Sequence, residues 1–225
     1  MAVYIMILML GAVAGLIMEK ASINLINKRV GELRIIRFSG TNAKTVMWAI
    51  INSLSWFFLV WINGIHANTI ECMLLISVSI ILSVVDITIK KIPNELILLT
   101  LIIGAGFMIT DNRLGSISIN LIGFALGFIL FLLPAFIGKG AGWGDVKYAA
   151  VVGFCLGVYG FLTAIIIMTI VLLIFTAYIM LTGKGNLKTK IALGPFMAFG
   201  FVSVLIINIM NSQALIFDLS RLING

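Results

Sequence analysis

An all-helical, polytopic membrane protein is the fold class this sequence predicts, and three observations predict it. The chain is 62% hydrophobic and only 10% charged, whereas about a quarter of the residues in soluble domains are charged. Its mean hydropathy is +1.22. Apolar runs long enough to cross a bilayer recur along the whole chain,. These runs are continuous rather than alternating, which argues against a membrane β-barrel. No long polar segment exists to build a second unit, so residues 1–225 read as one integral-membrane domain with a short basic cytoplasmic loop at 28–45,.

Eight spans are expected, at about 2–19 (with an extension toward 27), 46–63, 69–87, 95–110, 115–137, 146–159, 161–181 and 193–211. The first, "MAVYIMILMLGAVAGLIM", has no basic segment before it, so a retained helix is expected rather than a cleaved signal,. The sizeable polar segment "NKRVGELRIIRFSGTNAKT" separates it from the second. The third ends in "LLISVSIILSVVD", and Pro93 stops the chain before the fourth,. The sixth is short for a bilayer at about 1.5 Å per residue, so it is tilted, starts inside the preceding loop, or sits behind other helices.

Charge tests this layout. The net charge of +7 could suggest nucleic acid, but in a membrane protein basic residues first report topology. Eight spans put Lys20, Lys28, Arg29, Arg34, Arg37, Lys44, Lys90, Lys91, Lys139, Lys147, Lys184, Lys188 and Lys190 on one face, 13 of the 15 basic residues. The opposite face keeps Arg113 and Arg221. The rich face is therefore cytoplasmic and both termini lie outside. Cys72 and Cys155 fall inside apolar runs without partners at metal-ligand spacing, so no metal site is indicated,. His66 reads as a solvated loop residue.

The chain has four aspartates. Asp111 and Asp218 belong to the outer face, as loop and tail residues. Asp86 ends the third span and Asp145 follows "GAGWG" just before the sixth, both at the cytoplasmic boundary. An ionisable residue at the edge of a span is a candidate functional group. Bland accounts exist: an ion pair between Asp86 and Lys90 four residues on, and Asp145 as an N-cap. An aspartate at a helix C-terminus opposes the helix dipole, which weakens the first. Gly138, Gly140, Gly142 and Gly144 alternate before Asp145, suiting a loop that receives an extended peptide beside a carboxylate,. The pattern matches neither a dinucleotide-binding nor a phosphate-binding loop.

Two carboxylates in a partly dry site share a proton, one serving as base and the other as acid. Such a pair can activate water against a peptide carbonyl, with Lys90 and Lys147 near enough in sequence to bias which carboxylate stays charged. His66 sits on the far face, so a Ser-His-Asp arrangement is excluded with these parts. Three readings stay open on the residues alone: a hydrolase, a small ion-coupled transporter using the two membrane aspartates, and an inactive assembly scaffold.

At these residues the chain resembles the type IV prepilin peptidases, a family of intramembrane aspartyl proteases with a Gly-x-Gly-Asp signature. "GWGDVK" resembles that signature, and "DITIKKIPN" resembles the other half of the family's site. "ALGPFMAFG" is similar to the family's late Gly-Pro-Phe segment, and "ASINLINKR" to the polar end of its first helix. The resemblance implies a bilobed helical enzyme that removes the basic leader of prepilins or pseudopilins at the cytoplasmic face of a bacterial-type inner membrane. It implies that Asp86 and Asp145 are the catalytic pair, and that Gly142 and Gly144 shape the site. Lys147, Pro93, Asn94 and Glu95 are candidates for substrate binding, and Glu32 and Glu95 could meet the basic leader. Proteolysis of this kind needs no cofactor. Many members also N-methylate the new amino terminus with S-adenosylmethionine and carry a Cys-x-x-Cys insertion after the first helix. Residues 28–45 contain no cysteine, so the insertion is absent and the methyl transfer is left open. Implied partners are a prepilin and the bilayer, not nucleic acid.

The charge split is checked by cysteine labelling in a background with Cys72 and Cys155 replaced by serine. Lys184→Cys is expected to react with an impermeant maleimide only in inverted vesicles, and His66→Cys only in intact cells.

Overall fold

The computed structural model describes residues 1–30, 42–110, 113–137, 142–183 and 191–224. Seven α-helices and one short 3-10 turn account for nearly all of them, with no strand among the described residues. In chain order they are α1 (Ala2–Val30), α2 (Asn42–Asn63), α3 (Ala67–Ile89), α4 (Asn94–Thr110), the 3-10 turn Arg113–Ser116, α5 (Ile117–Phe136), α6 (Trp143–Leu181) and α7 (Gly194–Asn224). Six are long and apolar enough to cross a membrane, and α4, with 17 residues, is a shorter apolar helix. The helices α1 and α2 extend into the expected 28–45 loop from both sides, as far as Val30 and from Asn42. Glu32, Asp111, Gly138, Lys139 and Gly140 lie outside the described residues, as does the side chain of Asp218.

Helix α3 is the buried centre, with Leu75, Leu82 and Val85 wholly enclosed. Its polar residues are satisfied within the bundle. Ser77 Oγ donates to Asn52 Oδ1 (2.8 Å), and Asn52 Nδ2 donates to the Gly11 carbonyl (3.0 Å). These bonds tie α1, α2 and α3 together where water cannot reach the donors. At its far end α3 stops because Lys90 takes a left-handed conformation (φ 51°, ψ 39°), and its N–H donates to the Asp86 carbonyl (2.8 Å). Pro93 then opens α4, its carbonyl accepting from the N–H of Leu96 (3.2 Å) and Ile97 (3.3 Å).

Helix α6 departs from the expected layout. Spans at 146–159 and 161–181 were expected; the chain instead runs in one helical stretch of 39 residues, broken at Gly157 (φ 67°, ψ −177°). That positive φ is a conformation glycine adopts at little cost. Straight, the stretch would be about 58 Å long, twice a hydrocarbon core. The packing shows that it doubles back. Before Gly157, α6 runs antiparallel to α5: the Phe136 and Trp143 rings meet at 5.9 Å, and Asn120 Nδ2 donates to the Phe154 carbonyl (2.6 Å). After it, α6 runs antiparallel to α7, with Gly160 opposite Val204, Ala164 opposite Gly200, and the Phe175 and Phe196 rings 5.2 Å apart.

The α5–α6 seam is made of small residues. Gly123 and Gly127 are spaced four apart and face Gly153 and Ala149 so closely that a Cβ on Gly123 or Gly153 would strike the opposing backbone carbonyl. Small residues at this spacing let apolar helices approach to backbone contact. Gly153→Leu is therefore expected to destabilise the fold by about 1–3 kcal/mol. Thermal unfolding in detergent reads this directly, as a lowered midpoint.

Candidate active site

Two turns and a helix terminus build the site. Asp86 lies in the last turn of α3 and is only 4% exposed. Asp145 lies in the first turn of α6, where Gly142 is the N-cap residue in extended conformation (φ −88°, ψ 163°). The Asp145 carboxylate reaches back so that Gly142 N–H donates to its Oδ2 (2.7 Å), while Asp145 N–H donates to the Gly142 carbonyl (3.0 Å). This is the carboxylate half of a capping box. Asp145 is thus the third helical residue and not the N-cap.

The turn before α6 docks on the turn between α3 and α4. Gly144 seats against Ile92: a Cβ on it would lie 3.1 Å from Ile92 Cβ and 3.4 Å from both the backbone nitrogen and oxygen. Lys147 Nζ donates to Asn94 Oδ1 (3.2 Å), fastening the same two turns from outside. Asp86 and Asp145 line one cavity of about 450 Å³ as a result.

Gly142, Gly144, Asn94 and Lys147 line that cavity with the two aspartates. Pro93 is buried and does not line it. Glu95 stands beside the mouth, paired with Arg29 (3.0 Å) and Lys28 (3.9 Å), with its charge already matched from within the chain. The sequence analysis did not single out Arg29, Lys91 or Trp143 as site residues, yet all three line the cavity. Arg29 reaches it because α1 runs past residue 27. Nor was Gly194 singled out, although its N–H donates to Asp86 Oδ2 (2.9 Å); "ALGPFMAFG" marked its segment but not this contact.

Four cations, Arg29, Lys90, Lys91 and Lys147, surround the two carboxylates. Among the described residues no three His, Cys, Asp or Glu side chains converge as a metal-ligand set.

Comparison with known proteins agrees with the geometry. A prepilin leader peptidase/N-methyltransferase of Bacillus subtilis (strain 168) is 31% identical over 141 residues, covering 62% of this chain and 56% of that protein. The matched region thus spans little more than half of the relative. No solved structure matches the chain. Residues 73–177, the stretch that holds both aspartates and the turns that join them, match the type IV leader peptidase family.

Proposed function

We propose that this chain is a prepilin-type leader peptidase in which Asp86 and Asp145 together activate water. The observation that supports this reading is that two carboxylates from separate helices line one cavity, each with Oδ2 held by a glycine N–H. That leaves Oδ1 of each for the reaction. One carboxylate takes a proton from water while the protonated partner gives one to the peptide carbonyl oxygen. The water oxygen bonds to the carbonyl carbon and forms a tetrahedral diol. Its collapse breaks the C–N bond: one diol hydroxyl returns its proton to the pair as the carbonyl re-forms, and the leaving nitrogen takes a proton from the pair. The two carboxylates titrate as a unit.

The substrate in this reading is a prepilin or pseudopilin that presents its leader junction at the cytoplasmic face. Eight crossings follow if α6 is counted twice, once on each side of Gly157, with both termini outside. The ends bearing Asp86, Asp145 and Gly194 then meet at the face carrying Lys90, Lys91 and Lys147, in the cytoplasmic membrane of a bacterial-type cell. The basic mouth does not favour a basic leader, and Glu95 is already paired, so we assign leader recognition to the polar edge around Asn94. No step is assigned to S-adenosylmethionine.

The test uses membranes containing wild type, Asp86→Asn or Asp145→Asn, mixed with a prepilin and read by mass spectrometry. Leader loss is expected with wild type, and each variant is expected to be slower by at least about 100-fold. A product heavier by one methyl group reports methyl transfer in the same spectrum. Folded variants that cut at the wild-type rate would rule out the dyad. Proton-coupled solute uptake that is lost in both variants would favour the carrier.

A further inference from the structure

We propose that Gly194 is a positioning residue for Asp86, so that the amino end of α7 sets the geometry of the aspartate pair. The inference rests on the dyad reading above. Asp86 and Asp145 are held in different ways. Asp145 is bonded within its own helix turn and moves with it. The described bond to the Asp86 carboxylate comes from Gly194, 108 residues away, at 2.9 Å. The relation between the two carboxylates therefore depends on how α7 sits against α3.

The local sequence of α7 suits this task. Leu193 precedes the helix and has no side-chain acceptor for the first-turn N–H groups, while Pro195 has no N–H at all,. The Gly194 N–H is thus a first-turn donor without a local side-chain acceptor, and the Asp86 carboxylate caps it from another helix. The charge relation is favourable too. At the carboxyl end of α3 a carboxylate opposes that helix's dipole, and the amino end of α7 offsets this.

Glycine is required at 194 for space. A Cβ there would lie 2.7 Å from Asp86 Oδ2, 3.0 Å from Cγ and 3.1 Å from Cβ. Any side chain must push the carboxylate away from the bond that aims it, or move α7 from α3. The three atoms nearest that Cβ all belong to Asp86, and none to a lysine or arginine at the cavity mouth.

The experiment measures kcat and KM for a purified prepilin in detergent micelles, together with the thermal midpoint of each variant. Gly194→Ala is expected to lower kcat about 100-fold with KM unchanged, the scale of a misplacement of about 1 Å. Two alanine controls separate positioning from packing. Gly106→Ala, whose Cβ meets nothing within 4 Å, should match wild type; Gly15→Ala, whose Cβ would strike the Trp48 carbonyl on the α1–α2 seam, should lower the midpoint while kcat is kept. Wild-type kcat in Gly194→Ala, with Asp86→Asn inactive, overturns the positioning claim and leaves the dyad standing. Equal loss of kcat in Gly15→Ala also overturns it, because packing alone would then explain the effect. Wild-type cutting by Asp86→Asn removes the dyad, and the proposal with it. If Gly194→Ala does not fold, the Gly194 amide proton resonance decides. It should move upfield in Asp86→Ala and stay in place in Asp145→Ala; an amide indifferent to Asp86→Ala overturns the proposal.

Discussion

Two carboxylates at the margin of an apolar bundle need partners other than bulk water, because removing an ion from water costs several kcal/mol even after relaxation. Backbone N–H groups at helix amino ends supply those partners here. Gly142 serves Asp145 and Gly194 serves Asp86. Hydrogen bonds to charged groups contribute about 1.5–3 kcal/mol each, so one such bond recovers part of the cost and leaves the second oxygen for chemistry. Glycine at both donors has the same benefit: no side chain stands between the backbone and the carboxylate.

The rest of the bundle meets this requirement. Gly157 turns α6 back toward the aspartates, and only because of that turn can the chain re-enter at α7 on the side where Asp86 waits. The glycine seam between α5 and α6 fixes the first arm of α6, and with it Asp145. The bonds joining Gly11, Asn52 and Ser77 fix α3, and with it Asp86. A packing change that displaces α3 or the first arm of α6 can therefore alter the distance between the two carboxylates. The cationic mouth adds a second constraint, since Arg29, Lys90, Lys91 and Lys147 give the cavity an electrostatic preference against basic segments.

Much of this could be read from the residues, and the parts that could not share a physical cause. Apolar runs gave the helices, and Pro93 gave the break before α4. Asp86 and Asp145 stood out because charge is rare in this chain, and their meeting followed from placing both at one face. The break in α6 was expected nearer 160 than 157, because Gly153, Gly157 and Gly160 all weaken a helix alike. Only the tertiary fit, with Gly157 against Ile119, selects one of them. Gly194 could not be recognised as a partner of Asp86 because its contribution is a backbone N–H, which every residue except proline has. Arg29 was hidden by the length of α1, since its apolar pattern fades before its helix does. Glu95 looked available to a basic leader until Arg29 and Lys28 were seen to hold it.

The central claim is that Asp86 and Asp145 act as one unit. It is tested most directly by a double-variant cycle on prepilin cleavage, comparing Asp86→Asn, Asp145→Asn and the variant carrying both. Residues that act together are grossly non-additive, so the double variant should be no slower than the slower single variant, within about threefold. Losses that multiply, with the double variant slower by the product of the two, would contradict the account and make the two carboxylates independent contributors.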